Sequence, residues 1–270
     1  MQEHDQAFHA GDARLRLRDE GAGAAVVFVH GWTLDLDAWE PQAAALAGSS
    51  RVVRYDRRGF GLSEGMPGRA ADVEDLGVLL DHLRLDVATL VAHSQGTRVA
   101  LAFGLRQPER VAALVLDGPP DEAGDGAAGD EDFSIAEYRR LVEEQGVDAF
   151  RRAWRSHPLM RLYTEDAAAR ALAARVLGRY PARDLRGFVE PPPPPAGASA
   201  LARFMKPVLV VNGEFDTLIR RRAGQSLARA LPLAERVEIA GAGHLPNLDA
   251  PRAYNDALQR FLERQSRAAA

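Results

Sequence analysis

The chain has 270 residues, of which 46% are hydrophobic, so it can bury at least one sizeable core, and disorder throughout is excluded. Its formal net charge of −4 is too close to balance for a protein that binds nucleic acid through electrostatics. The absence of cysteine excludes disulfide scaffolds, thiolate metal sites and cysteine nucleophiles. The first residues do not resemble a secretory signal, and no apolar run approaches the roughly 18 residues of a membrane span. We therefore expect a cytoplasmic protein with neither a nucleic-acid nor a membrane partner.

Short apolar runs alternate with longer amphipathic stretches, which predicts parallel strands joined by crossover helices. Residues 14–18 alternate arginine and leucine, as in a strand with one exposed face. Compact runs rich in valine and leucine predict strands buried on both faces at 24–29, 52–55, 89–92, 111–116 and 208–211. Apolar residues at helical spacing predict helices at 70–83, 97–106, 225–231 and 252–263. The predicted fold class is α/β with a mostly parallel sheet.

The alternation is interrupted between about Asp121 and Ala200, where we find no convincing strand. Within this segment, apolar residues at helical spacing predict one helix near residues 135–142 and another at 167–177. The proline run at 191–195 predicts a stiff polyproline II connector, because each proline lacks an N–H group and has a fixed φ angle. The segment is therefore interpreted as a helical insertion.

A serine follows the predicted strand at 89–92 and stands directly before a predicted helix, in the sequence Ala92-His93-Ser94-Gln95-Gly96. This context is typical of a nucleophile elbow, in which small residues two positions before and after the serine let the strand and helix approach each other. Alanine replaces the more usual glycine at position 92. The helix N-terminus beside Ser94 would stabilise a developing negative charge.

A second strand end carries a plausible oxyanion-binding turn. The strand at 26–29 leads into His30-Gly31-Trp32, where the glycine lets the backbone turn. The backbone N–H groups of Trp32 and Gln95 would then form an oxyanion hole beside the serine. A simple glycine turn with Trp32 as a core aromatic residue is the alternative.

Activation of Ser94 requires a base and an acid that orients it. Asp216 lies just after the strand at 208–211, and His244 lies in a glycine-rich loop after the next strand. Asp117, at the end of the strand at 111–116, is a second candidate for the acid, and Asp216 is preferred. The chain order serine, aspartate, histidine is typical of one fold in particular.

With these motifs, the sequence resembles the α/β-hydrolase family, in its branch of esterases, enol-lactonases and carbon–carbon bond hydrolases. Residues 55–63 resemble the family's D-x-R-G-x-G-x-S loop, and residues 108–111 resemble the usual entry into the strand after the elbow helix. The resemblance implies a hydrolase core at 1–120 and 201–270 with a helical cap at 121–200. It also implies a catalytic triad of Ser94, Asp216 and His244, and no cofactor or metal.

The resemblance implies hydrolysis of a small carboxylic ester or lactone through an acyl-enzyme. Serine at position 94 argues against dehalogenase or epoxide hydrolase chemistry, which uses a carboxylate nucleophile. Hydrolysis of a carbon–carbon bond in a vinylogous diketone, cofactor-free dioxygenase or perhydrolase chemistry, and ligand binding without turnover remain open. The substrate would be a small molecule, and the candidate pocket residues are His93, Phe150, Trp154, Leu159 and Met160.

Overall fold

The strands of the molecule form one mixed sheet whose carboxyl-terminal edge carries the candidate catalytic loops. The computed structural model describes residues 5–124, 133–186 and 195–269. In this described part of the chain the sheet has eight strands: β1 (Gln6–Ala10), β2 (Ala13–Glu20), β3 (Ala25–Val29), β4 (Arg51–Tyr55), β5 (Ala88–His93), β6 (Val111–Asp117), β7 (Val208–Gly213) and β8 (Ala234–Ile239).

The spatial order of the strands is β1-β2-β4-β3-β5-β6-β7-β8. Strand β2 pairs antiparallel with both β1 and β4, and the strands from β4 to β8 are parallel to one another. Parallel strands align their carboxyl ends on one edge, so the loops that follow β3, β5, β6 and β7 meet there. The mostly parallel sheet predicted from the sequence is confirmed.

Helices connect the strands and cover the sheet. Their bounds are α1 (Glu40–Leu46), α2 (Arg69–His82), α3 (Gln95–Arg106), α4 (Ile135–Gln145), α5 (Val147–Arg155), α6 (Ala167–Arg179), α7 (Ala198–Leu201), α8 (Leu218–Ala230), α9 (Pro246–Asp249) and α10 (Pro251–Ala269). None of these helices, within the described residues, is long and apolar enough to cross a membrane.

Most predicted elements agree with this structure, and the differences have local causes. Strand β1 was not predicted, because its short sequence QAFHA contains too few residues to establish an alternation. Helix α8 begins seven positions earlier than the predicted helix at 225–231, since its first turns are rich in arginine and therefore read as polar. Four positions of the predicted proline connector, residues 191–194, lie outside the described residues.

The prediction of an exposed arginine face on β2 holds for Arg14, which is exposed, and was wrong for the other two arginines. The side chains of Arg16 and Arg18 are buried, with relative exposures of 4% and 5%. Arg16 pairs with Asp5, Asp37 and Asp56 at 3.0 to 3.3 Å, and Arg18 pairs with Asp5 and Asp37. These carboxylates come from other segments, and they compensate for the desolvation of the arginine face.

Helices α4, α5 and α6 are inserted between β6 and β7, and their apolar side chains share a hydrophobic cluster with residues of the core. Trp154 and Leu177 from the insertion pack there with Trp32 and Leu248 from the core. The indole N–H of Trp154 also donates to Thr33 Oγ1 at 2.9 Å. The insertion is therefore held to the core by both apolar and polar contacts.

An ion pair at the end of α6 gives the insertion a further attachment. Arg179 donates through Nε to Asp35 at 2.8 Å and through a terminal nitrogen to Asp37 at 2.6 Å. Both carboxylates are buried, and burial together with the charge of Asp56 raises the pKa of Asp35 to about 7, against the opposing effect of Arg179. Arg179 thus offsets part of the free-energy cost of burying these two carboxyl groups in the core.

We expect Arg179→Met to lower the free energy of unfolding by about 3 kcal/mol, because it removes the arginine that pairs with the buried Asp35 and one of the three arginines that pair with Asp37. Arg175→Met is the matched control, since the ion pair of Arg175 with Glu40 is exposed and should contribute less than about 1 kcal/mol. Urea unfolding of both variants measures the difference. If both substitutions lowered the free energy of unfolding equally, the pairs of Arg179 would contribute no more to stability than the exposed pair of Arg175.

The loss of unfolding free energy in Arg179→Met should also depend on pH. A raised pKa means that the folded state holds the Asp35 proton more tightly than the unfolded state, so stability falls as pH rises through this range. Without Arg179 the folded pKa rises further and the fall continues to higher pH. The deficit in unfolding free energy should therefore be larger at about pH 8 than at about pH 5.

Candidate active site

Ser94 occupies a sharp turn between β5 and α3. Its φ and ψ angles are 50° and −120°, a backbone conformation that L-residues rarely adopt and that stores about 1 to 3 kcal/mol. A Cβ atom at Gly96 would lie 2.6 Å from the carbonyl oxygens of Val29 and His30, so only glycine fits there. The backbone N–H of Ser94 donates to the carbonyl of Asp117 at 2.7 Å. The geometry is that of a nucleophile elbow.

Three side chains from distant parts of the chain form a continuous hydrogen-bonded series. His244 Nε2 lies 3.0 Å from Ser94 Oγ, and His244 Nδ1 lies 3.0 and 3.1 Å from the two carboxylate oxygens of Asp216. Because an ionised carboxylate only accepts, the proton of the neutral imidazole belongs on Nδ1. Nε2 is then free to accept the Ser94 proton, which is the arrangement that a general base requires.

The loops that carry Asp216 and His244 are in close contact. A Cβ atom at Gly213 would lie 2.0 Å from the carbonyl oxygen of Gly243, so the two backbones approach as only glycine allows. Asp249 accepts the backbone N–H of Gly243 at 2.7 Å, and its other oxygen accepts the N–H groups of Tyr163 and Thr164. The histidine loop is thereby fixed to the inserted segment.

Asp117, the second candidate for the acid, does not contact His244 in this structure but bonds to His93 Nδ1 at 3.1 Å. Both groups are buried, and burial lowers the pKa of His93 and, with the nearby charge of Asp216, raises that of Asp117. Burial thus disfavours the charged form of each group. The ring of His93 lies 4.8 Å from the ring of His244. Asp216, not Asp117, is the carboxylate placed to orient the base.

The two predicted oxyanion donors lie on either side of the serine. Gln95 is the first residue of α3, and the Gly31–Trp32 turn lies so close that a Cβ atom at Gly31 would be 3.2 Å from Ser94 Cβ. The indole ring of Trp32 also packs in an aromatic cluster, where it stacks on Phe133 with 5.0 Å between ring centroids. The side chain of Trp32 is thus a core aromatic residue, as the alternative interpretation of the glycine turn predicted. A role for its backbone N–H as oxyanion donor stays a prediction.

A cavity of about 580 Å³ opens at the serine and histidine, and Trp32 and Gln95 belong to its lining. This volume suits a small organic molecule. Of the predicted pocket residues, His93, Trp154, Leu159 and Met160 line the cavity.

A family model described as "alpha/beta hydrolase fold" matches residues 24–251. The chain belongs to the α/β hydrolase fold family. It is 29% identical to a putative 2-succinyl-6-hydroxy-2,4-cyclohexadiene-1-carboxylate synthase of Bacillus subtilis, over 92% of this chain and 94% of that protein. It is also 29% identical to a 2-hydroxymuconate semialdehyde hydrolase of Pseudomonas sp. (strain CF600), over 96% of this chain and 94% of that protein. The resemblance inferred from the motifs is confirmed.

Solved structures of this family agree with the fold. The enol-lactonase from Burkholderia xenovorans LB400 superimposes with a TM-score of 0.78 at 23% sequence identity. The match covers 96% of this chain and all of that one.

In this α/β hydrolase, the placement of Phe150 differs from the prediction. The lining formed by the described residues does not include Phe150, whose side chain is fully buried. Its ring packs edge-on against Trp32 and Tyr138, with centroid distances of 5.6 and 5.2 Å. Phe150 therefore lies behind the residues that face the cavity, although it shares one face of α5 with Trp154, four positions later, and the two rings stack with 6.1 Å between centroids.

Charged residues of the lining were not predicted from the sequence. Arg57 donates to the side-chain oxygen of Gln95 at 2.6 Å and pairs with Asp72 at 3.2 Å, so it fixes the residue next to the nucleophile. Asp184 accepts from the indole N–H of Trp32 and from the hydroxyl of Tyr180. Of these residues, only Arg98 could have been found from the sequence, because it follows Ser94 by one turn of the predicted helix.

No group of three or more histidine or acidic side chains is arranged to hold a metal ion in the parts of the chain that the structure describes. The absence of a metal and of a cofactor stays a prediction.

We expect Asp216→Asn to slow the covalent labelling of Ser94 by a fluorophosphonate probe by at least about a hundredfold, because an amide beside Nδ1 no longer selects the reactive tautomer. The matched substitution Asp117→Asn replaces a carboxyl that is bonded to His93 and not to His244 by an isosteric amide, and it should change the rate by less than about tenfold. The labelling rate requires no knowledge of the substrate. The opposite ranking of the two variants would make Asp117 the acid.

Proposed function

We propose that the protein is a cofactor-independent serine hydrolase that cleaves a small carboxylic ester or lactone. The observation that carries the proposal is the series Ser94–His244–Asp216, with both contacts near 3.0 Å, at the mouth of a cavity of about 580 Å³. A strained serine beside a neutral, oriented imidazole is arranged for nucleophilic attack on a carbonyl group.

In the proposed reaction, Ser94 Oγ attacks the substrate carbonyl while His244 Nε2 accepts the hydroxyl proton. The resulting oxyanion is stabilised by the backbone N–H groups of Trp32 and Gln95. The tetrahedral intermediate collapses as His244 returns the proton to the leaving alkoxide, which leaves an acyl group on Ser94. A water molecule, deprotonated by His244, then attacks the acyl carbon and releases the acid.

The inserted segment is proposed to act as a cap, with residues 121–200 over a core of residues 1–120 and 201–270. Support comes from its contribution to the cavity, where Ile135, Trp154 and Leu159 belong to the lining. An apolar cover would exclude bulk water from the acyl-enzyme and select the substrate by shape.

Hydrolysis of a carbon–carbon bond in a vinylogous diketone is the second candidate. It is favoured by the 29% identity over 96% of this chain to a protein named 2-hydroxymuconate semialdehyde hydrolase. The same serine and histidine would serve, with a carbon leaving group in place of the alkoxide.

Hydrolysis of p-nitrophenyl esters of graded acyl length should proceed in the wild type and fall by at least about a thousandfold in Ser94→Ala. Ser49→Ala is the control, because this serine is exposed and lies outside the cavity. Circular dichroism checks that all three proteins are folded. If esters are inert and a vinylogous diketone is cleaved, the second candidate replaces the first. Inertness toward both substrate classes, or full activity in Ser94→Ala, contradicts the proposal.

A further inference from the structure

The cavity is positively charged although the whole chain carries a formal net charge of −4. Among the described residues, the lining contains five arginines and two acidic side chains: Arg57, Arg69, Arg98, Arg139 and Arg220 against Asp72 and Asp184. Burial raises the pKa of both acidic groups. A cleft lined by one sign of charge attracts ligands of the other sign.

Some of this positive charge is compensated within the protein. Arg57 pairs with Asp72 and Arg98 pairs with Glu122 at 2.5 Å. Arg139 is different, because no carboxylate among the described residues pairs with it. Its Nε is shielded from solvent and has no hydrogen-bond partner within the same residues. A shielded guanidinium N–H without an acceptor costs free energy until a ligand supplies one.

Arg139 and Arg98 reach the cavity from different parts of the fold. Arg139 lies on α4 of the inserted segment, one helical turn after Ile135, which also lines the cavity. Arg98 lies on α3, whose first residue follows Ser94. One cation therefore comes from the insertion and the other from the helix that begins at the proposed nucleophile.

The remainder of the lining restricts what the ligand can be. Trp154, Leu159 and Met160 are apolar and line the same cavity. A ligand that matches the whole surface has an apolar body and an anionic group. The planar guanidinium fork binds a carboxylate through two parallel hydrogen bonds.

We propose that Arg139 and Arg98 form an anion subsite that binds a carboxylate carried by the substrate, apart from the carbonyl that Ser94 attacks. The substrate is then an ester or lactone of a dicarboxylic acid, and this inference rests on the proposed hydrolase function. Arg139 provides the specificity, since it has no partner among the described residues, and Arg98, although paired with Glu122, provides a second positive charge.

The test compares two esters of equal acyl length. One is mono-p-nitrophenyl adipate, which is anionic, and the other is its methyl ester, which is neutral. The wild type should prefer the anionic ester by at least about tenfold in kcat/KM, mainly through KM, as expected for a charge-assisted hydrogen bond. Raising the salt concentration should reduce this preference.

Arg139→Gln should lower the ratio of kcat/KM for the anionic ester to that for the neutral ester by at least about tenfold, and Arg139→Lys should restore part of it. Arg140→Gln is the matched control, because Arg140 is the next residue on α4, is exposed and does not line the cavity. This control removes the same charge from the same helix but at a position outside the cavity. It should therefore keep the wild-type ratio. A general effect of net charge would change both variants equally and would overturn the proposal.

A binding measurement separates this inference from the proposed function. Calorimetric titration of Ser94→Ala with the monomethyl esters of dicarboxylic acids, from succinate to suberate, requires no turnover. Binding of at least one ester that Arg139→Gln weakens by about tenfold supports the subsite even if no ester is hydrolysed. Hydrolysis of both adipate esters without preference, or no binding along the series, shows that the subsite is absent.

Discussion

The backbone strain at Ser94 is the constraint on which the rest of the site depends. A φ angle of 50° is held there by contacts on both sides of the turn. On one side Gly96 lies against the carbonyl oxygens that end β3, and on the other the Ser94 N–H is bound by the carbonyl of Asp117 that ends β6. The neighbouring strands of the parallel sheet therefore over-determine the turn, and a conformation that is unfavourable alone persists. The serine hydroxyl reaches His244 because of this turn.

Electrostatic compensation is the second constraint, and it connects the insertion to the sheet. The buried carboxyl groups of Asp35, Asp37 and Asp56 lie near the buried guanidinium group of Arg16 and the partly buried one of Arg179. Each charge alone would be costly at this depth, whereas the network supplies each with opposite charge and hydrogen bonds. Arg179 is the member that the insertion contributes. The position of the inserted segment is consequently coupled to charges that the core has already buried.

The sequence predicted those parts of the fold that local rules govern. Buried parallel strands are recognisable from Val-rich runs, and the turn at Ser94 from small residues at two fixed positions. Asp216 and His244 follow strands whose carboxyl ends must share an edge, so their meeting with Ser94 follows from topology. The burial of Arg16 and Arg18 was not accessible in this way, because alternation separates two faces of a strand without showing which face finds partners. Those partners, such as Asp37 and Asp56, are close only in the folded chain.

The lining of the cavity was only partly predictable for a related reason. A helix such as α5 presents different residues to the cavity and to the layer behind it, and Phe150 and Trp154 have the same apolar character in the sequence. The two residues share one face of α5, so helical spacing does not separate their roles, and only the packing against Trp32 and Tyr138 in the folded chain does. Arginines such as Arg139 are equally ambiguous, since an arginine on a helix is most often a solvated residue.

The residues of the site come from two parts of the fold, the loops that follow the parallel strands and the inserted segment. Ser94, Asp216 and His244 lie on loops that follow the parallel strands, so the proposed chemistry depends on a geometry to which the sheet contributes directly. The apolar wall and Arg139 belong to the insertion, which is tied to the core by the Arg179 pairs and by the Asp249 contacts with residues 163–164. Side chains of the insertion can therefore change without disturbing the turn at Ser94. The proposed substrate recognition and the proposed bond cleavage thus depend on different parts of the molecule, and the proposed role of Arg139 belongs to recognition.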